Sequence, residues 1–388
     1  MQTPPGPPRL WVERSQLTNF RSYRSVVLET GPEPQVLAGA NGAGKTNLLE
    51  AISLLVPGHG LRGVHYRDLA RAGGDGSWSV AARVHSRIGP VDIGTGLKPT
   101  RDGDERASRI VRIDGESKGS AGVLADYLEI VWLTPAMDGL FTGPGSERRQ
   151  FLDRLIVCFD PGYRTIANRF EKAMQSRNRL LADGVSDNAR LEGFEITMAE
   201  AGVAVAAARQ QAIRALIRLI EDRRSLDPAS PFPWATLALE GAIDADLAAN
   251  PAVDVEDRYF RALRQSRERD RAAGRTLDGP HRSDLAVGHG PKAMPARLSS
   301  SGEQKALLLG LVLAHAELIR QHRDGLAPIM LLDEVTAHLD EFRRAALFTE
   351  IQRLGAQAWM TGTDKSAFAA LAGQAQFWRV DEGSITSG

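Results

Sequence analysis

The chain has 388 residues, 43% of them hydrophobic, and its 48 Lys and Arg balance its 48 Asp and Glu, so the formal net charge is zero. These are globular values, and the length allows one to three domains with ordinary cores. A net charge of zero means that the protein as a whole does not attract nucleic acid electrostatically. A nucleic-acid partner must therefore bind to a local basic surface. The single cysteine, Cys158, excludes an internal disulfide and a cysteine-based metal site.

Nothing in the sequence predicts a membrane protein. No stretch approaches the roughly 18 consecutive apolar residues that a membrane-spanning helix needs. The start of the chain, residues 1–8, is rich in proline and lacks an apolar signal region. We therefore expect a cytoplasmic protein with no membrane-spanning segment.

Residues 1–160 are expected to form mixed α/β structure, because short apolar runs alternate with turns. A turn is expected at 19–23, between the first two strands. The predicted strands are 10–12, 26–28, Gln35–Ala38, 79–84 and Ile110–Ile113.

A full phosphate-loop pattern, G-x-x-x-x-G-K-T, occupies residues 39–46. A buried strand is expected directly before it, and apolar residues at helical spacing follow it, which is the strand–loop–helix context that the motif requires. Backbone N–H groups of such a loop converge on phosphate oxygens at a helix N-terminus. Lys45 is expected to reach the β- and γ-phosphates of ATP, and Thr46 to ligate Mg²⁺. The residues predicted to bind the phosphates are Gly39, Ala40, Asn41, Gly42, Ala43, Gly44, Lys45 and Thr46.

The pattern becomes helical from residue 161 to residue 273. Ile213, Leu216 and Ile220 mark one face of a helix, but heptads are not sustained over enough repeats for a long coiled coil. A segment with three prolines, 225–234, divides this stretch into two parts. We expect an all-helical arm domain of antiparallel hairpins, inserted into an α/β domain.

Residues 274–388 return to α/β. The apolar run Ile329–Leu332 predicts a buried strand that ends at Asp333 and Glu334, where ligands of parallel sheets bind. Asp333 is expected to hold Mg²⁺ through water, and Glu334 to polarise the attacking water. Another strand is expected at 358–361, so both ends of the chain would contribute to one sheet.

The segment 300–304, Ser-Ser-Gly-Glu-Gln, has two interpretations. Ser300 and Glu303 alone fit a capping box at a helix start. The position before the acidic strand instead favours the signature of an ABC-type ATPase, in which Ser300 and Gly302 bind a γ-phosphate. Asp340 then lies where such heads place a loop across a dimer interface, and Thr363 lies near the usual position of a switch histidine.

Four segments together resemble the RecF family of DNA repair and replication proteins. They are 19–23 (NFRSY), 39–52 (GANGAGKTNLLEAI), 144–153 (PGSERRQFLD) and 279–284 (GPHRSD). The phosphate loop and the signature are shared with all SMC-like heads, whereas the last two segments are more specific to RecF. The sequence departs from the family pattern in two places: Ser283 stands where aspartate is frequent, and Ala136 and Met137 lie in a segment that is often acidic.

The resemblance implies an ABC-type P-loop ATPase head formed by both ends of the chain around the inserted arm. It implies slow ATP hydrolysis, ATP-dependent dimerisation on DNA at gaps, and cooperation with RecR and RecO in loading RecA. It also implies roles in replication-fork maintenance and the SOS response. Glu334, Lys45 and Ser300 take the catalytic roles, and Arg21, in the first segment, is expected among the nucleotide-binding residues.

DNA contact is expected from arginines, which bind phosphate without regard to sequence. The candidates are Arg62, Arg67, Arg71, Arg148 and Arg149. A second set in the arm alternates with acidic residues in part, which favours intramolecular ion pairs. That set comprises Arg261, Arg264, Arg267, Arg269 and Arg271.

Three other functions are alternatives to the RecF-type clamp. A transport ATPase with a membrane partner usually has a switch histidine, which Thr363 replaces. A nuclease of the OLD type needs a metal-binding acidic cluster in a separate domain, and no such C-terminal extension is evident. A scaffold without ATPase activity is disfavoured because every nucleotide motif is present.

Overall fold

A computed structural model describes residues 9–99, 108–158, 160, 162–184 and 188–388. The described residues form two compact units. The first comprises the described parts of 1–138, 230–232 and 308–388, and the second those of 139–229 and 233–307. The second unit extends beyond both ends of the predicted arm, 161–273. Residue 161 lies outside the described residues, and the boundaries of the arm stay a prediction.

The elements follow one another in mixed α/β order. The strands are β1 (Trp11–Phe20), β2 (Tyr23–Glu29), β3 (Gln35–Ala38), β4 (Trp78–Ser86), β5 (Gly89–Leu97), β6 (Ile110–Ile113), β7 (Glu116–Lys118), β8 (Ile130–Leu133), β9 (Ala235–Glu240), β10 (Asp284–His289), β11 (Met294–Pro295), β12 (Ile329–Leu332), β13 (Ala358–Gly362), β14 (Gln376–Asp381) and β15 (Ser384–Ser387). The helices are α1 (Lys45–Ser53), α2 (Gly145–Val157), α3 (Tyr163–Ala182), α4 (Asn188–Leu226), α5 (Ala242–Ala249), α6 (Ala252–Gln265), α7 (Arg267–Ala273), α8 (Ser301–His322) and α9 (Glu341–Leu354).

An antiparallel sheet in the first unit has the strand order β2-β1-β4-β5-β6-β7. Buried and exposed residues alternate along β4, where Val80, Ala82 and Val84 are buried, as expected for a sheet with one covered face. The sequence predicted β6 correctly, but it predicted only short parts of β1 and β2. The expected turn at 19–23 is the hairpin between these two strands.

The other sheet of the first unit has the order β15-β14-β3-β13-β12-β8, and its strands are parallel except for β15. Every residue of β12 and β13 is buried, as in a sheet covered on both faces. This sheet confirms that both ends of the chain contribute to one structure. Because the strands are parallel, the phosphate loop after β3 and the acidic pair after β12 lie at the same edge, with β13 between them.

The second unit is built on helix α4, against which α3 and α6 pack. Met198 and Val203 of α4 are buried in a cluster with Phe170 and Tyr259. The antiparallel sheet β11-β10-β9 also belongs to this unit. The prediction of an all-helical arm is therefore wrong, because β9 lies within residues 161–273. Its apolar residues Ala235 and Leu237 are buried at a spacing of two, a short strand pattern directly after the proline-rich segment.

An ion-pair network is buried inside the helical part of the second unit. The Arg177 side chain is fully buried and bonds Glu195 at 3.1 Å and Asp270 at 2.8 Å. Thr276 accepts a further hydrogen bond from this guanidinium group at 2.9 Å. Because buried charges are tolerated only when they are paired and hydrogen-bonded, this network fixes how α3, α4 and α7 pack.

Candidate nucleotide-binding site

The phosphate loop connects β3 to α1 in a conformation that requires glycine. Gly44 precedes the helix with φ 116°, in the left-handed region. A Cβ atom at Gly39 would lie 2.2 Å from the carbonyl oxygen of Val380, so only glycine fits there. The loop therefore places its backbone N–H groups at the N-terminus of α1, where a helix attracts phosphate.

Lys45 is buried and folds over its own loop. Its Nζ atom donates to the carbonyl oxygens of Gly39, at 2.7 Å, and Ala40, at 2.8 Å. Burial lowers the pKa of Lys45, and the nearby carboxylates of Glu334 and Asp333 oppose that shift. The ammonium group thus lies at the loop and donates to two neutral carbonyl oxygens. The charged oxygens of a phosphate are stronger acceptors and would replace them.

Thr46 and Asp333 meet directly, although they are far apart in the sequence. The Thr46 hydroxyl lies 3.0 Å from each carboxylate oxygen of Asp333. The Thr361 hydroxyl donates to the same carboxylate at 2.7 Å. A threonine hydroxyl beside a carboxylate is an all-oxygen donor set, which fits Mg²⁺.

Glu334 follows Asp333 with φ 47°, a left-handed conformation that is uncommon for a residue other than glycine. Its backbone N–H donates to the Thr361 hydroxyl at 2.8 Å. Thr361 therefore contacts both acidic residues, donating to one and accepting from the other. Sequence reasoning missed Thr361, but its position in β13, between the two strands that carry the site, was a usable signal.

Arg21 lies at the tip of the β1–β2 hairpin, next to the phosphate loop. Its guanidinium group bonds both carboxylate oxygens of Glu50, at 2.8 and 2.9 Å, and the carbonyl oxygen of Asp68 at 2.7 Å. The Glu50 side chain is fully buried in α1. Arg21 thus anchors the hairpin to the helix of the phosphate loop, and its contact with nucleotide stays a prediction.

Ser300 lies in the second unit, at the start of α8. Its backbone N–H and its hydroxyl both donate to the Glu303 carboxylate, at 3.1 and 3.0 Å, so half of the expected capping box forms. Lys292 bonds the same carboxylate at 2.5 Å. These bonds, with that to Lys292 the largest cause, lower the pKa of Glu303 to about 2. Gly302 lies in the first turn of α8, and both residues stay predicted γ-phosphate ligands.

Two further signature-related residues have local roles. The Asp340 carboxylate accepts from the backbone N–H of Arg343 at 2.8 Å and thereby caps α9. Thr363 is exposed directly after β13. Both residues are exposed on the surface of the first unit.

Arg148 does not have the free guanidinium group expected of a DNA contact. It forms a bidentate pair with Asp284, at 2.8 and 2.7 Å, and donates to the carbonyl oxygens of Leu140 and Gly143. Arg149 donates to the Ser283 carbonyl oxygen at 2.7 Å, and burial lowers its pKa. These bonds join the segment 144–153 to the segment 279–284, and DNA contact by the two arginines stays a prediction.

The remaining candidates lie in the loop region after α1. Arg62 bonds Glu50 at 3.1 Å and Asn47 at 2.9 Å, yet 39% of its side chain is exposed. Arg67 is exposed, and Arg71 is half-buried and bonds Asn19 through its backbone. In the arm, each candidate arginine has an acidic partner, as the ion-pair alternative predicted. The pairs are Arg261–Asp257, Arg264–Glu192, Arg267–Glu195, Arg269–Asp278 and Arg271–Glu268.

Comparison with known proteins shows the family of this chain. Residues 11–382 match the model of the RecF/RecN/SMC N terminal domain, so the fold and the site define a P-loop ATPase head of the SMC class. The DNA replication and repair protein RecF of Mesorhizobium japonicum (strain LMG 29417 / CECT 9101 / MAFF 303099) is 52% identical over 379 residues, which cover 98% of each chain. The RecF of Brucella suis biovar 1 (strain 1330) is 52% identical over 381 residues, 98% of this chain and 97% of the relative. The chain belongs to the RecF family.

Solved structures show the same fold. A structure described as the recombination mediator protein RecF-ATP in the RecFOR pathway has a TM-score of 0.83 at 23% identity and covers 98% of both chains. An SmcHead bound to the C-winged helix domain of ScpA has a TM-score of 0.55 at 18% identity, with 97% of both chains covered. Among the residues that the structure describes, no helix is long and apolar enough to cross a membrane.

Proposed function

We propose that this chain is an ATP-dependent DNA-binding protein of recombinational repair and replication, acting in the cytoplasm. ATP binding drives head-to-tail dimerisation on DNA at gaps, and slow, DNA-stimulated hydrolysis releases the DNA. With RecR and RecO it helps to load RecA, and it takes part in the SOS response. The names of relatives that are 52% identical over nearly the whole chain support this role.

One observation carries the ATP-dependent part of the proposal. Thr46, from the start of the chain, and Asp333, from its end, lie within hydrogen-bonding distance at the edge of one parallel sheet. Lys45 is buried beside them, and both acidic residues favour its charged form. A site that assembles phosphate-binding and metal-binding groups in this way is organised for a nucleoside triphosphate.

In hydrolysis, the residues of this chain bind and orient the reacting groups. Lys45 would leave the carbonyl oxygens of Gly39 and Ala40 to bind phosphate, and Glu334 would orient the water that attacks the γ-phosphorus. Thr46 and Asp333 would hold Mg²⁺, which neutralises phosphate charge when bound. Ser300 of a second subunit would complete the γ-phosphate site, so that ATP binds the dimer better than the monomer and shifts the population toward it.

DNA contact is proposed for Arg62, Arg67 and Arg71. Arg62 keeps an exposed side chain, although Glu50 and Asn47 already bind it. Arg148 and Arg149 are weaker candidates, because their guanidinium groups already bond Asp284 and the Ser283 carbonyl oxygen.

Sedimentation velocity with and without ATP tests the proposal. Lys45→Arg keeps the charge but changes its geometry, so we expect ATP-driven dimerisation to be lost. Glu334→Gln keeps the shape of the side chain but removes the charge that orients water, so we expect the dimer to persist with ATP. If both variants sediment as the wild type does with ATP, the clamp function is wrong.

A further inference from the structure

The tip of the β1–β2 hairpin touches the phosphate loop through a buried tyrosine. Tyr23 is fully buried, and its hydroxyl donates to the Gly44 carbonyl oxygen at 2.9 Å. A Cβ atom added to Gly44 would lie 2.9 Å from both this hydroxyl and that of Ser22. The hairpin tip and the last glycine of the loop are therefore in direct contact.

This contact determines the direction of a backbone N–H in the phosphate loop. The Gly44 carbonyl and the Lys45 N–H belong to one planar trans peptide, so they point in opposite directions. The carbonyl also accepts from the N–H groups of Asn47, at 2.9 Å, and Leu48, at 3.2 Å, along α1. The Lys45 N–H consequently points away from the helix, toward the side where phosphates bind at a helix N-terminus.

Tyr23 supplies the bond on this carbonyl that comes from outside the helix. Burial raises the pKa of Tyr23 far above its ordinary value, so the hydroxyl stays protonated and can only donate to a carbonyl oxygen. The two bonds from Asn47 and Leu48 belong to the first turn of α1, which is the part of a helix that frays most easily. The tyrosine therefore fixes the peptide where the helix itself holds it least.

The hairpin tip is kept in an unfavourable backbone conformation. Asn19 and Arg21 both have φ 50°, in the left-handed region that favours glycine. The pair between Arg21 and the buried Glu50, and the bond from the Arg21 N–H to Leu69, hold the tip in place. Strained residues that the surrounding structure holds in this way are common at ligand sites.

We propose that Tyr23 is a positioning residue for nucleotide phosphate, acting through the Gly44–Lys45 peptide. The inference rests on the proposed ATP site and adds to it a residue outside the phosphate-loop motif. The hydroxyl holds the loop in its binding conformation before the nucleotide arrives. Removal of the Tyr23 hydroxyl lets the Gly44–Lys45 peptide rotate. Nucleotide binding must then also bear the entropy cost of fixing that peptide, which lowers the affinity.

The test compares Tyr23→Phe with Tyr66→Phe in the full chain. Tyr66 is a matched control, because its hydroxyl also donates to a glycine carbonyl oxygen, that of Gly58, at 3.1 Å, but after α1. We expect Tyr23→Phe to weaken ATP binding about five-fold, the effect of one lost hydrogen bond. Turnover at saturating ATP should change less than about two-fold, because the bond is the same in the ATP-bound ground state and in the transition state. Tyr66→Phe should leave the Kd for ATP unchanged.

The outcomes separate this inference from the proposed function. A Kd for ATP that Tyr23→Phe changes no more than Tyr66→Phe does overturns the positioning role. A wild-type chain that does not bind ATP overturns the proposed function as well. Amide hydrogen exchange without ATP gives a second readout: residues 39–46 should exchange faster in Tyr23→Phe than in the wild type, and Tyr66→Phe should not change their exchange. Equal exchange of these residues in Tyr23→Phe and the wild type would overturn the inference.

Discussion

Thr361 shows how one hydroxyl can organise two acidic residues of the site. It donates to Asp333 at 2.7 Å and accepts from the Glu334 N–H at 2.8 Å. Glu334 has a left-handed backbone, and this bond is one of the contacts that hold it there. The threonine thereby couples the residue expected to hold Mg²⁺ to the residue expected to orient water.

Thr361→Val removes this hydroxyl at nearly constant volume. We expect ATP turnover to fall about ten-fold, because Glu334 loses the partner of its N–H group and water is less well oriented. The Kd for ATP should change less, since Lys45 and the loop remain. Thr349→Val is the control, because its hydroxyl bonds only the Ala345 carbonyl oxygen within α9. Equal turnover in the two variants would contradict a role for Thr361.

At the scale of elements, ion pairs and hydrogen bonds connect the segments 144–153 and 279–284, and we call this contact the joint. Helix α2 carries Arg148 and strand β10 carries Asp284, and their bidentate pair joins the two elements. Arg209 of α4 adds a bidentate pair with Asp153 of α2 and donates to the Pro280 carbonyl oxygen at 2.6 Å. These bonds hold α2, α4 and β10 together.

Asp284→Asn should destabilise the protein, because the partly buried Arg148 loses a charged bidentate partner. We expect a loss of about 2 kcal/mol in the free energy of unfolding at neutral pH. The bond to Arg148 lowers the pKa of Asp284 in the folded state. The stabilisation is therefore complete above the ordinary pKa of a carboxyl group and is lost as the pH falls through the lowered one.

Chemical denaturation of both proteins between pH 3 and pH 7 measures this difference. The gap between wild type and Asp284→Asn should stay constant at neutral pH and close only in acid. Asp246→Asn is a matched control, because Asp246 forms a similar bidentate pair with Arg258, whose side chain is 43% exposed against 15% for Arg148, so that solvent screens the control pair more. An equal loss in both variants would mean that the joint has no special role.

The elements predicted from the sequence were those with a strong local pattern. Ile329–Leu332 is a continuous apolar run, and the glycine-rich phosphate loop defines β3 and α1 around it. Strand β5 was not predicted because its three glycines and one proline interrupt the alternating apolar pattern of a strand. Its hydrogen bonds to β4 and β6 hold it in the sheet. The pair between Arg148 and Asp284 was not predicted for a similar reason: the two residues are distant in sequence, and nothing local indicates the pair.

For the whole molecule, the predicted nucleotide-binding residues are divided between the two compact units. Lys45, Thr46, Asp333 and Glu334 belong to the first unit, and Ser300 belongs to the second. The proposed head-to-tail dimer would join the first unit of one subunit to Ser300 of the other. Each of its two sites would then draw residues from both chains, as in a closed two-fold assembly.

This arrangement predicts that two inactive variants restore activity when they are mixed. Lys45→Arg and Ser300→Arg should each abolish ATP hydrolysis alone, because every site of either homodimer carries a defect. In a mixed dimer, one site combines both defects and the other combines an intact Lys45 with an intact Ser300. An equimolar mixture should therefore regain ATP hydrolysis that neither variant shows alone, at no more than about half of the wild-type rate, since only mixed dimers work and each has one working site. A mixture no more active than its components would mean that Ser300 does not act across the dimer.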